Sequence, residues 1–98
     1  MEETSDVSRY YVYILFSFKD KKLYIGFTTD LKARLSSHAK GNVTATRLRR
    51  PLKLIYYEYF TNQKDAKTRE RFLKSGFGRS QLKLALKDTL LKLGYRFI

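Results

Sequence analysis

Two runs of aromatic and β-branched residues constrain this chain most. They lie at 10–16 (Tyr-Tyr-Val-Tyr-Ile-Leu-Phe) and 23–26 (Leu-Tyr-Ile-Gly), with a short polar segment between them. Such runs read as strand, tight turn and strand, because branched and aromatic side chains fit a pleated, half-buried surface. A two-residue turn near Phe18 and Lys19 predicts Tyr13 opposite Tyr24, with both phenols on one face. The first run is apolar at both alternating sets of positions, which predicts a central strand covered on both sides. Gly26 near the end of the second run predicts a bulge or a close approach to its backbone.

The remaining order follows from periodicity and punctuation. Thr28, Thr29 and Asp30 offer helix caps. A helix is expected over 31–40, ended by Gly41, with Leu31 and Leu35 toward the core and Arg34 and His38 one turn apart on a flank. A basic loop, 42–52, carries Thr44, Thr46, Arg47, Arg49 and Arg50. Arginine forks beside hydroxyls suit phosphate oxygens. A third strand is expected over 53–60, and Thr61 or Asn62 can cap the helix after it. In that helix Ala66, Glu70, Leu73 and Phe77 form an inward stripe with a carboxylate inside it, which needs a partner such as Arg34 or a cation. A final helix is expected over 80–93, with Leu82, Ala85, Leu86, Leu90 and Leu93 inward and Lys83, Lys87 and Lys92 outward. The fold class that results is α/β in the α+β sense, a three-stranded sheet with helices against it.

Bulk properties limit the function. Ninety-eight residues make one domain, expected at 10–98 behind a flexible tail at 1–9. The chain has no cysteine and one histidine, so disulfides, thiolate nucleophiles and His/Cys zinc sites are excluded. No apolar run is long enough to span a membrane, and Met1-Glu2-Glu3 does not open a signal segment. A cytoplasmic or nucleoid-associated location is expected. Twenty-one Lys and Arg against nine acids give a net charge of +12, which points to a polyanion, most simply nucleic acid. There is no phosphate-binding glycine loop, no paired-carboxylate motif and no aromatic RNA-binding sheet motif.

Tyr13, Tyr24, Arg34, His38 and Glu70 form a set coherent with phosphodiester hydrolysis. Glu70 supplies one hard oxygen ligand for Mg²⁺ or Mn²⁺. Arg34 stabilises charge on the phosphate. A tyrosine activates water, needing nearby positive charge because a free phenol has a pKa of about 10. His38 orients a phosphate or relays a proton.

These residues resemble the GIY-YIG nuclease domain, in particular its small stand-alone members of the UPF0213 type. The first motif stands as Tyr11-Val12-Tyr13 and the second as Tyr24-Ile25-Gly26. Thr28, Asp30-Leu31, Arg34, His38, Gly41, the 46–51 stretch, and Arg69-Glu70 with Lys74 extend the resemblance over 10–83. The resemblance implies an antiparallel three-stranded sheet flanked by helices. It implies a metal-dependent DNA endonuclease that leaves 5′-phosphate and 3′-hydroxyl ends, in repair or recombination. It further implies Tyr13, Tyr24, Arg34, His38 and Glu70 as the catalytic set, with Glu70 holding one Mg²⁺ or Mn²⁺. DNA phosphates would be met by Lys32, Thr44, Thr46, Arg47, Arg49, Arg50 and Lys74. Two departures stand out. Tyr11 replaces the motif's opening glycine, and no asparagine occurs from Phe72 to Ile98, where many nucleolytic members have one. A nucleic-acid-binding module without catalysis is the alternative, and a basic structural subunit a third reading. Larger relatives carry a targeting domain, so substrate choice is expected to come from this domain or from an unidentified protein partner for targeting.

Overall fold

A computed structural model describes residues 8–97. The elements follow in the order β1 (Tyr10–Ser17), β2 (Leu23–Thr28), α1 (Leu31–Ala39), a 3₁₀ turn (Arg47–Arg49), β3 (Leu52–Phe60), α2 (Gln63–Lys74), α3 (Gly76–Ala85) and α4 (Lys87–Lys92). The sheet is antiparallel in the order β2-β1-β3, so β1 is central, as its two-sided apolar pattern requires. The expected tail, 1–9, lies outside the described residues except for Ser8 and Arg9.

The sheet divides the molecule into two layers. Val12, Ile14 and Phe16 of β1 join Leu23 and Ile25 of β2 on one face. Ala66, Leu73, Leu82 and Leu90 from the three C-terminal helices close over them as a continuous core. The other face carries Tyr11, Tyr13 and Leu15, and α1 lies across part of it. Side chains alternate across a strand, so adjacent residues of β1 serve opposite layers.

Several local expectations change. The β1–β2 connection is longer than a two-residue turn: Lys21 takes a positive φ of 60° and Asp20 and Lys22 lie in the turn. Tyr13 therefore pairs with Gly26, and Tyr24 pairs with Leu15. The two phenols keep a common face but sit diagonally. Ser17, fully buried, fixes this turn: its hydroxyl donates to the Arg49 carbonyl at 2.6 Å and accepts from the Lys19 and Asp20 amides.

In α1, Asp30 caps the first turn by accepting from the Ala33 amide at 3.1 Å, and Gly41 ends the helix with φ 80°. The buried residue of α1 is His38, while Leu31 and Leu35 are only half-buried. The expected inward stripe thus belongs to the flank that holds the histidine. Asn62 is the cap of α2, accepting from the Asp65 amide. Phe77 does not continue the inward stripe of α2. Ser75 breaks the helix in an extended conformation and restarts it as the cap of α3, which leaves Phe77 69 % exposed. The single final helix is two, separated at Leu86. Ala85 is consequently exposed, and Lys83 lies over the Tyr95 ring instead of facing away.

Candidate active site

The partly covered face of the sheet gathers Tyr13, Tyr24, Arg34 and His38. β1 supplies Tyr13, β2 supplies Tyr24, and successive turns of α1 supply Arg34 and His38. Tyr13 has no exposed surface. Its hydroxyl lies 2.8 Å from His38 Nε2 and accepts from Arg34 Nε at 3.4 Å. His38 Nδ1 lies 2.6 Å from the hydroxyl of Thr46, which is also fully buried. A neutral imidazole has one donor and one acceptor nitrogen. A consistent assignment has Nδ1–H donating to Thr46 and Nε2 accepting from the phenol. Donors then point one way along Arg34, Tyr13, His38 and Thr46. The Tyr24 ring centroid is 6.3 Å from that of Tyr13 and 5.3 Å from that of His38.

Gly26 makes this packing possible. A Cβ at that position would lie 2.5 Å from Tyr13 Cζ and Oη. The glycine is required because the phenol crosses directly over its backbone.

Burial raises the Tyr13 phenol above its ordinary value, and the Arg34 hydrogen bond opposes this only in part. His38 is pushed down to about 4, first by burial and then by the nearby Arg34 charge. At neutral pH both groups are uncharged, so the imidazole accepts the phenol's hydrogen bond without taking its proton.

Glu70 stands apart from this cluster. It belongs to α2, on the other layer, with its side chain 14 % exposed. Its carboxylate lies 2.9 Å from Lys74 Nζ and 3.9 Å from Lys67 Nζ, so Arg34 is not its partner. Arg34 is instead bonded to Tyr13. The costly inward acid is thereby paired through its own helix, at i+4 and i−3.

The phosphate-contact candidates separate into distinct environments. Lys32, Thr44, Arg47 and Arg50 are exposed. Arg50 also donates to the Arg47 and Ala39 carbonyls. Arg49 is committed to the hairpin turn, with Nε 2.6 Å from Asp20 Oδ2. That bond lowers the Asp20 carboxyl below its usual range. Thr46 offers nothing to a ligand, because its hydroxyl is used beneath the surface on His38. Lys74 sits with Glu70 on the far layer.

The sequence reading missed the link between His38 and Thr46, which no local signal marks, because only the fold of the loop brings the two together. It also missed Glu58, which receives two hydrogen bonds from Arg69, at 2.9 and 3.0 Å, and one from Tyr56 at 2.7 Å. Burial raises the Glu58 carboxyl, but these bonds more than offset it and hold the carboxyl below its ordinary value. This group ties β3 to α2.

The family model described as the GIY-YIG catalytic domain matches residues 9–83. The chain belongs to the GIY-YIG family. A UPF0213 protein from Clostridium perfringens is 37% identical over 86 residues, covering 87% of this chain and 91% of its own length. A UPF0213 protein from Streptococcus pyogenes is 46% identical over 72 residues, covering 72% of this chain and 77% of its own. The solution NMR structure of the UPF0213 protein BH0048 from Bacillus halodurans matches with a TM-score of 0.51 and 36% identity, over 81% of this chain and 85% of that one. The α+β fold with its antiparallel three-stranded sheet is shared with that structure.

GIY-YIG domains form a nuclease family, and its nucleases generally use a divalent metal. Among the described residues no group of three or more His, Cys, Asp or Glu side chains converges. Glu70 is a single hard oxygen donor neutralised by two lysines whose side chains are about half exposed, at 48% and 50%. Surface ammonium groups can yield to a cation. The donor chemistry therefore fits one Mg²⁺ or Mn²⁺ whose remaining ligands are water and phosphate.

Proposed function

We propose that this protein is a metal-dependent DNA endonuclease that hydrolyses phosphodiester bonds to 5′-phosphate and 3′-hydroxyl ends, acting on DNA structures in repair or recombination. The observation that carries the reading is the chain of hydrogen bonds from Arg34 through Tyr13 to an uncharged His38. A buried packing tyrosine needs a hydrogen-bond partner for its hydroxyl, but not a guanidinium and an imidazole together. A phosphate-cleaving site needs a cation held in a fixed position.

The two tyrosines divide the work. Tyr13 has no route to solvent and serves as the hub that holds Arg34 and His38 in place. Tyr24 is half-buried and is the phenol that meets the attacking water. Arg34, held by its Tyr13 bond, stabilises the negative charge that grows on the phosphate oxygens. His38 accepts the Tyr13 hydrogen bond and fixes the orientation of the phenol that holds Arg34. Glu70 holds the divalent cation, which when bound supplies charge neutralisation and a more acidic water. α2 packs over β1 and β2 on the core side of the sheet. On this reading the phosphate binds at the β2 edge of the sheet, between Glu70 and the Arg34 cluster. The exposed Lys32, Arg47 and Arg50 hold the DNA backbone.

The competing reading, a DNA-binding module without catalysis, draws on the missing asparagine between Phe72 and Ile98. Cleavage of labelled single-strand, duplex, flap, splayed-arm and four-way-junction DNA with Mg²⁺, Mn²⁺ or EDTA separates the two. Metal-dependent product is expected from the wild type and none from Glu70→Gln, which should still bind DNA. Equal cleavage by Glu70→Gln would remove the metal role. Salt-sensitive binding with no product under any ion would favour the binding module.

A further inference from the structure

The sheet face that carries the candidate site continues beyond α1 as an exposed aromatic surface. Tyr57 is the cross-strand partner of Tyr13, and Tyr59 is the partner of Tyr11. These four side chains share one face. Tyr13 is covered, but Tyr57 is 50 % and Tyr59 47 % exposed. Tyr11 contacts both, with ring centroids 5.9 and 5.5 Å away. The opposite face of β3 shows the contrast: Tyr56 and Phe60 pack against the core. Two exposed tyrosines against a third are a contiguous platform, unlike the scattered exposed apolar residues of an ordinary surface.

An open groove of about 500 Å³ adjoins Tyr11. Leu31 and Leu35 of α1 form its wall, with Thr29 and Asp30 at the start of the helix and the cations of Arg9 and Lys32 at its edge. The Asp30 carboxylate in this groove is used on the Ala33 amide. The surroundings are those of a single strand: stacking surfaces for bases and cations for the phosphates between them. A duplex interior offers no base faces, because its bases are stacked on one another. Neighbouring strands lie about 4.8 Å apart, so Tyr57 is one strand from Tyr13. A DNA strand with its phosphate at the Arg34 cluster would bring its adjacent bases onto the platform.

We propose that Tyr11, Tyr57 and Tyr59 form a stacking platform for unpaired DNA bases beside the cleavage site. The preferred substrate is therefore DNA with a single-stranded segment next to the scissile bond. This rests on the reading of the α1 face as the side that meets DNA.

The test is equilibrium binding in EDTA, where cleavage plays no part, using labelled oligothymidine, oligouridine and a blunt duplex of the same length. Loss of two stacking partners in Tyr57→Leu/Tyr59→Leu is expected to weaken oligothymidine binding about tenfold or more, while duplex binding changes less than about twofold. Tyr57→Phe/Tyr59→Phe, which keeps the rings, is expected to bind like the wild type. The intrinsic tyrosine emission, undisturbed because the chain has no tryptophan, should be quenched by oligothymidine in the wild type and less so in the leucine variant. Equal losses for single strand and duplex, or no loss, would overturn the platform. Tighter binding of oligouridine than oligothymidine would overturn DNA as its ligand. Absence of product from the wild type under any divalent ion would count against the nuclease assignment alone and leave this binding result standing.

Discussion

The two faces of the sheet are made from alternate residues of the same strands, yet they are built on different physics. Val12, Ile14 and Phe16 enter a dry core in which non-directional apolar burial does the stabilising. Tyr11, Tyr13 and Leu15 face the other way. There Tyr13, His38 and Thr46 are as fully buried as the core residues, but directional hydrogen bonds join them. Among the described residues no buried side-chain nitrogen or oxygen lacks a partner. The apolar face tolerates many sequences of similar volume and pattern. The polar face tolerates few, because each buried polar group depends on its neighbour. Apolar packing and the directional polar network are thereby separated across one layer of backbone.

Substitutions on either side of β1 would sharpen or break this contrast. The largest loss of stability is expected from Ile14→Ala in the apolar layer, about 2–5 kcal/mol by urea titration, with the folded fraction still cleaving at the wild-type rate. Gly26→Ala acts on the other layer. Its new methyl meets Tyr13 Cζ and Oη at 2.5 Å, so the phenol must move. A smaller loss of about 1–3 kcal/mol is expected, together with a severe loss of single-turnover cleavage. If Gly26→Ala cut DNA normally, the position of Tyr13 would not matter to the chemistry.

A third effect concerns pH. The folded-state pKa of His38, about 4, lies below its ordinary 6.5. Between these values the unfolded chain binds the extra proton, so stability rises with pH across that window. The contribution is complete above pH 6.5 and is lost as pH falls toward 4. Thermal melts across this range should show a steeper decline for the wild type than for His38→Gln. Parallel curves would mean that His38 is not held neutral by its surroundings.

What was legible in the sequence follows the same division. The central strand was readable because apolar residues at both alternating sets of positions have one stable placement, between two layers. The cap at Asp30 and the stop at Gly41 were readable because both are local. The diagonal placement of Tyr13 and Tyr24 was not, since the length of the turn depends on Ser17 bonding to Arg49, 32 positions away in the chain. Thr46 looked like a surface hydroxyl, and only the fold of the loop over α1 brings it to His38. Glu70 stood out correctly as an inward acid in need of a partner. The partner was misassigned because lysines one turn away on the same helix compete with any distant arginine. The division of the last helix depends on Leu86, whose sequence carries no breaker.

The measurement that bears most directly on the polar face as a catalytic surface is single-turnover cleavage by Arg34→Ala, on the best-cut substrate from the DNA panel, beside its affinity for that DNA. Arg34 is bonded to Tyr13, and on the proposed function it stabilises developing charge, so its loss is expected to slow cleavage about 100-fold or more while affinity changes only a few-fold. An unchanged rate, or a deficit explained entirely by weaker binding, would contradict the account and leave Arg34 as a contact for the DNA backbone.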